Sequence, residues 1–336
     1  MVRVLGAVQA QDYGGAKWAL SRRTAGATDA EIELELDRGT IVRTHVLRPT
    51  WHFVVASDLR CMLDLTAPRV VQATAYYNRQ LELTPAVFRR SNAALGRALR
   101  GGKALTRLEL RAALERAGVQ TVTTQRLGHL MLQAELDALV CSGPRRGRQF
   151  TYALVDERIP ASEPLQRDEA LVELVRRYFA TLGPATVHDF AWWSGLTITD
   201  VRRTIDIAGT MLERQDRGEK TYWLLRDRPA LPRTKRTVHL LPNYDEYFIG
   251  YRDRSDIGQR IGNTKAVTGG NALIANVIAV DGQLVGGWRR TMERRGALVE
   301  ADLVVPLKRE ERAALVAEVR RYGEFLGVPV ELRLRR

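Results

Sequence analysis

The strongest constraint on this chain is a pattern that recurs: three helical stretches followed by two short strands joined by a charged turn. Its clearest copy runs from Asp168 to Arg226. Glu169 to Phe179 carries apolar residues at helical spacing, and Gly183-Pro184 stops that helix. Thr186 is placed to cap a short helix to Trp193, and Thr197 or Thr199 to cap a third from Asp200 to Ala208. Met211–Gln215 and Lys220–Leu225 alternate as strands around the turn Asp216-Arg217-Gly218-Glu219. Three helices and a charged hairpin predict a winged helix.

A second copy precedes it. Pro85 to Leu99 reads as a basic helix, Thr106 caps Leu108–Leu114, and Thr124 caps a helix through Leu136. Its wing is Ala138–Cys141 and Gln149–Leu154 around a turn carrying Arg145, Arg146 and Arg148, which suits phosphate contact. A first copy is incomplete. Val4 to Arg22 is helical with an interruption, Thr28 caps Glu31–Leu36, and strands Ile41–Val46 and Thr50–Val55 form the hairpin. A leading helix is missing before Met1: either the native start lies upstream or the chain does without it.

The remainder changes character. Arg236–Pro242 reads as a strand, Asn276–Val280 and Gln283–Trp288 as a hairpin around Asp281-Gly282, and Leu298–Val305 as a further strand. An amphipathic helix, Lys308–Leu326, and a closing strand, Val328–Leu334, complete it. The expected fold is mixed α+β: three tandem winged-helix units plus a C-terminal α/β domain. The expected domains are 1–57, a first winged helix lacking its leading helix; 58–156, a second winged helix with leading helices; 157–230, a third winged helix; and 231–336, the C-terminal α/β domain.

Composition narrows the partners. A net charge of +13 suits a polyanion, because Lys and Arg that displace counterions from phosphate supply most non-specific nucleic-acid affinity. Charge alone also follows from an Arg-rich composition, so the architecture has to decide. No run approaches the roughly 18 apolar residues of a membrane span, and the first residues lack an export signal. The expected location is the cytoplasm, in association with the nucleoid. Cys61 and Cys141 stand eighty positions apart and the five histidines are scattered, so neither a metal site nor a cofactor is expected.

The most unusual local motif is Gln9-Ala10-Gln11-Asp12-Tyr13-Gly14-Gly15. Residues i and i+2 sit on nearly opposite sides of an α-helix, so Gln9 and Gln11 act together only if the backbone leaves helical geometry. Asp12 and Gly14-Gly15 supply such a break, with Asp12 either capping the next helix or serving as an extra carboxylate. The plain alternative is two glutamines facing solvent.

Here the chain resembles the AlkZ/YcaQ-like winged-helix DNA glycosylases. The matching runs are Leu5–Gln11, Arg43–His52, Leu240–Tyr247 with Arg252-Asp253-Arg254, and Val280–Gly282 through Gly287-Trp288-Arg289. They occur in family order over nearly the whole chain. The missing first helix is the main departure. The resemblance implies a concave DNA-binding face and monofunctional cleavage of the N-glycosidic bond of alkylated purines in duplex DNA, including bulky N7-guanine adducts and crosslinks. It makes Gln9 and Gln11 the catalytic Gln-x-Gln pair, in a branch associated with self-resistance to DNA-alkylating natural products. It raises Arg48, Thr50 and His52 as contacts near the lesion.

Other readings stay open beside it. His45 and His52 lie on the first wing, where both could face Gln9 or be ordinary surface or core histidines. Asp245-Glu246 is either a paired-carboxylate site or a support that holds Arg252 or Arg254. The segment 252–270 reads as a mobile loop or hairpin on DNA, or as a plain surface loop, and Trp288 as core or stacking platform. A monomer is expected. The competing functions are a winged-helix transcription regulator, against which the unlike units and the absence of a dimerisation helix count, and a protein-interaction scaffold.

Overall fold

The computed structural model describes residues 1–161, 165–228, 237–262 and 276–335. It divides into two compact units, Val2–Val8 with Leu34–Leu225, and Met1, Gln9–Glu33 with Arg226–Arg336. It is a mixed α/β structure. Among the described residues no helix is long and apolar enough to cross a membrane.

In the larger unit, helix Arg167–Thr181 buries Ala170, Leu171, Leu174, Val175, Tyr178 and Phe179, two positions per turn on one face. Tyr178 meets the rings of Phe190 and Trp193 at 4.9 and 5.2 Å in tilted pairs, so helix Val187–Ser194 packs against it through aromatic contacts. Thr186 caps that helix reciprocally with Asp189. It ends at Gly195, whose φ is +72° and where a Cβ would lie 2.1 Å from the Leu47 carbonyl oxygen, so only glycine fits. Thr197, rather than Thr199, caps Ile198–Ala208 by accepting from Asp200 N. The hairpin Leu212–Arg217 and Lys220–Leu225 follows, turning at Gly218-Glu219.

The stretch before it is built the same way. Thr84 caps Pro85–Leu99, a Thr106–Glu109 capping box opens Arg107–Arg116, and Thr123 caps Thr124–Leu136. The cap expected at Thr124 thus falls one residue earlier: two threonines in a row carry the same signal, and only the geometry separates them. Val140–Ser142 pairs with Thr151–Leu154, and Leu105–Thr106 adds a third strand. Leu95, Leu99, Leu110, Leu114, Leu130 and Val140 are fully buried beneath. The hairpin Ile41–His45 and Trp51–Val55 is extended by the strand that Val8 begins, which lies beside Trp51–Val55.

Helix Leu59–Gln80 lies where the stretch 58–156 was expected to carry leading helices, but its bounds are not marked by the sequence pattern. It contains Pro68, which removes one backbone donor and leaves the Asp64 carbonyl without its helical partner. Arg167 supplies the replacement, donating to Asp64 O at 3.3 Å.

The other unit is a five-stranded sheet with two main helices. The strand order is Val330–Arg335, Gly296–Leu303, Gln283–Glu293, Val277–Val280 and Val238–Leu241. Only the first pair is parallel, and helix Arg309–Leu326 makes the crossover that parallel strands require. Asp281 and Gly282 both have positive φ, as a two-residue hairpin turn demands. Trp18, fully buried on helix Tyr13–Arg22, packs 5.0 Å from Tyr322 and 5.2 Å from Phe325. Trp18 and Trp288 donate their indole N–H groups to the Leu240 and Leu241 carbonyls at 2.7 and 2.8 Å. Trp288 is therefore core. The boundary expected at 230/231 and positions 263–270 of the segment 252–270 lie outside the described residues.

Candidate active site

Gly6, with φ +81°, ends the short helix Val2–Leu5, and the chain continues as strand Val8–Gln9. The next helix begins only at Tyr13. The backbone through Gln9-Ala10-Gln11 is therefore non-helical, as a concerted pair of glutamines requires. Gln9 is 5% exposed, Ala10 is fully buried and Gln11 is exposed. Glu246, itself 2% exposed, accepts the Gln9 backbone N–H on Oε1 at 2.7 Å.

Asp12 caps helix Tyr13–Arg22, accepting from Gly15 N at 3.0 Å. Its carboxylate also meets Arg290 at 3.5 Å, and Arg290 donates to Tyr322 Oη at 2.9 Å. The two glycines make room for this: a Cβ at Gly14 would stand 2.9 Å from the Arg290 guanidinium, and one at Gly15 2.5 Å from Asp12 Oδ2. Lys17 is buried, with its ammonium held by Asp29 at 2.9 Å and by Glu33.

Asp245 has a partner that the sequence reading did not name: its carboxylate is held by Arg23, in two bonds of 2.6 and 2.9 Å. The sequence distance of 222 residues hid this pair. Asp245 also accepts from Tyr247 N at 2.9 Å, capping helix Glu246–Ile249. Burial pushes the Asp245 carboxyl up, but the Arg23 charge and hydrogen bonds outweigh it and hold the group below the usual carboxylate range. Arg254 donates to Phe248 O at 2.6 Å, with its guanidinium over the Phe248 ring, and Arg252 is exposed.

His239 accepts from the Arg22 guanidinium on Nδ1. Burial first, then the charges of Arg22 and Arg23, bring its imidazole down to about 4, with Asp245 opposing and Arg321 adding to the shift. Histidine titrates near 6.5 when unfolded. Between those two values the unfolded chain takes up a proton that the folded chain refuses. Stability is therefore fully present above pH 6.5, falls as the pH drops towards 4, and levels off below. Urea midpoints measured across this window should show that slope, and His239→Phe should lessen it, with His52 and His129, whose imidazoles are also held below the ordinary value by burial, supplying part of the remainder.

The other unit holds the first wing. His45 Nδ1 lies 2.6 Å from Oε2 of Glu135, which also accepts the His45 backbone N–H at 2.9 Å. Glu135 is 1% exposed, and a carboxylate there fixes the imidazole tautomer. The register pairs His45 with Trp51 and Thr44 with His52, so the two histidines belong to opposite faces of the hairpin rather than to one. His52 is buried, bonded through Nδ1 to Thr50 O at 2.9 Å. Burial, then Arg48, holds it well below the ordinary histidine value, so it is neutral. The Arg48 guanidinium lies 5.7 Å from the Trp192 ring.

On the second wing, Arg146 pairs with Glu109, pulling that carboxyl down to about 2 together with Thr106. Arg145 lies over Phe150, and Arg148 is exposed. Arg43 is sandwiched between Trp51 at 4.2 Å and Phe150 at 4.8 Å. Arg43, Trp51, Arg148 and Phe150, with Arg107 and Tyr152, line a groove of about 350 Å³. The Arg23, Glu135 and Arg290 contacts carry no local signal, since each partner is distant in sequence. Among the described residues no three His, Cys, Asp or Glu side chains gather to hold a metal.

The chain is 25% identical to an interstrand DNA cross-link repair glycosylase of Streptomyces sahachiroi, over 97% of this chain and 90% of that protein. The solved structure of Streptomyces sahachiroi DNA glycosylase AlkZ superposes with a TM-score of 0.80 at 23% identity, covering 99% of this chain and 92% of the other. The sequence model of the DNA glycosylase AlkZ-like family matches residues 2–325, and the chain belongs to that family.

Proposed function

We propose that this protein is a monofunctional DNA glycosylase that hydrolyses the N-glycosidic bond of N7-alkylated guanine in duplex DNA, with Gln9 and Gln11 as the catalytic pair. The observation that carries the reading is the non-helical course of Gln9-Ala10-Gln11, anchored at the Gln9 amide by a buried carboxylate. A glutamine amide does not take a proton at neutral pH, but it accepts and donates hydrogen bonds. Two such dipoles hold a water against C1′ and support the positive charge that develops on the sugar. N7-alkylation makes the base cationic, so it leaves without an acid. Lys17, whose ammonium is held by Asp29 and Glu33, is no Schiff-base nucleophile, which favours hydrolysis without strand cleavage.

Grip on DNA comes, in this reading, from three tandem winged-helix units acting as a monomer. Arg145, Arg146 and Arg148 contact phosphate from the second wing, Arg252 and Arg254 from the C-terminal domain, and His45, Arg48, Thr50 and His52 lie near the lesion. Asp12, Asp245 and Glu246 support the catalytic segment. The relative named as an interstrand DNA cross-link repair glycosylase supports a crosslinked adduct as substrate; action on other bulky adducts and a role in self-resistance belong to the same proposal. Duplex containing N7-methylguanine, incubated with the protein and then treated with alkali, should break at the lesion and stay intact without alkali. No breaks with any N7-alkylated duplex would overturn the proposal.

A further inference from the structure

We infer that Glu246 is a positioning residue for the reaction: its carboxylate sets the backbone of Gln9 and through it the aim of the glutamine pair. The inference rests on the proposed role of Gln9 and Gln11. It is carried by the 2.7 Å bond from the Gln9 N–H to Glu246 Oε1, made between residues 2% and 5% exposed.

The placement of this bond gives it leverage. Gln9 is the last residue of its strand, and the chain bends over Ala10–Asp12 before the next helix starts. Regular structure does not define the peptide planes on that stretch, so a rotation at Gln9 would swing both amides. A charge-assisted bond at the strand end fixes the rotation at its origin. Glu246 is itself held. It opens helix Glu246–Ile249, whose cap, Asp245, is locked by two bonds to Arg23. Arg23 rises from helix Tyr13–Arg22 at its C-terminal cap. The helix that follows the catalytic segment thus returns, through Arg23, Asp245 and Glu246, to the residue that begins it. The closed circuit leaves Gln9 few ways to move.

A positioning role and a chemical one predict different variants. An amide oxygen accepts the Gln9 N–H as a carboxylate does, but it cannot act as a base. Glu246→Gln should therefore keep the base-release rate within a few-fold of wild type. Glu246→Ala should lower the single-turnover rate at saturating protein by roughly 10–100-fold, the scale of a small misplacement of reacting groups. Duplex affinity should stay unchanged. Amide exchange supplies a reading on the protein alone: the Gln9 N–H should be protected in wild type and in Glu246→Gln, and lose protection at least about tenfold in Glu246→Ala, where the accepting partner is gone.

A Glu246→Gln variant as slow as Glu246→Ala would overturn the inference, because the carboxylate would then be needed for its charge or its proton. So would an unprotected Gln9 amide in the wild type, which needs no variant to fold. A wild type that releases no base but keeps that amide protected would overturn the glycosylase reading and, with it, the positioning role, while leaving the contact itself standing.

Discussion

Replacing Asp245 by alanine is expected to lower the stability of the protein by roughly 3–5 kcal/mol, the cost of stripping one partner from a buried ion pair. Asp245 is 1% exposed and holds Arg23 through two hydrogen bonds. Removing the carboxylate leaves the partly buried Arg23 guanidinium without its hydrogen-bonded partner, with Glu246 as the remaining negative charge acting on it, and removes the cap of helix Glu246–Ile249. Asp245→Asn keeps an acceptor for Tyr247 N and should fall between. The double variant Arg23→Met, Asp245→Leu should recover much of the loss, because neither charge then needs desolvating. An exposed pair gives the contrast: truncating Glu35, which meets Arg38 at 3.1 Å on a surface helix, should change stability by about 0–1 kcal/mol. Urea midpoints for the four proteins decide the matter, and an Asp245→Ala midpoint equal to that of Glu35→Ala would contradict this account.

The second large effect is kinetic. Gln9→Ala and Gln11→Ala are each expected to slow base release by roughly 10²–10³-fold, the range seen when one preorganised dipole is removed from a developing charge. The two differ in stability. Gln11 is exposed, so its truncation should leave the fold unaltered, whereas Gln9 is 5% exposed and its truncation leaves a small void. Gln11→Ala is therefore the cleaner probe of chemistry. Each variant should bind duplex as tightly as wild type, since the proposed grip rests on basic side chains elsewhere.

What could be read from sequence followed the range of each interaction. Thr106, Thr186 and Thr197 cap their helices through bonds to residues three positions on, so a threonine before an apolar run sufficed. Asp281-Gly282 announced its hairpin because few pairs tolerate positive φ twice. The break at Gln9-Ala10-Gln11 was legible from Asp12 and Gly14-Gly15, which supply a cap and a flexible start for the next helix. The roles proposed for the two glutamines come from resemblance and not from spacing.

The rest depended on partners that local patterns do not name. Pro68 obscures the course of helix Leu59–Gln80, and the group that makes it tolerable, Arg167, lies 103 residues beyond Asp64, whose carbonyl it satisfies. Glu135 stands 90 residues from His45, and Arg23 stands 222 from Asp245. A strand register, likewise, cannot be fixed by the identities of its residues: His45 and His52 divide between two faces because Thr44, and not His45, is opposite His52.

The central claim is that Gln9 and Gln11 carry out base release, and a single-turnover assay tests it most directly. Free N7-methylguanine is quantified over time from a duplex carrying one lesion, with wild type and Gln11→Ala at concentrations that saturate the DNA. Wild type should release the base and leave an unbroken abasic strand, while Gln11→Ala, equally folded and equally bound, should release it roughly 10²–10³-fold more slowly. Release by Gln11→Ala at the wild-type rate would contradict that claim.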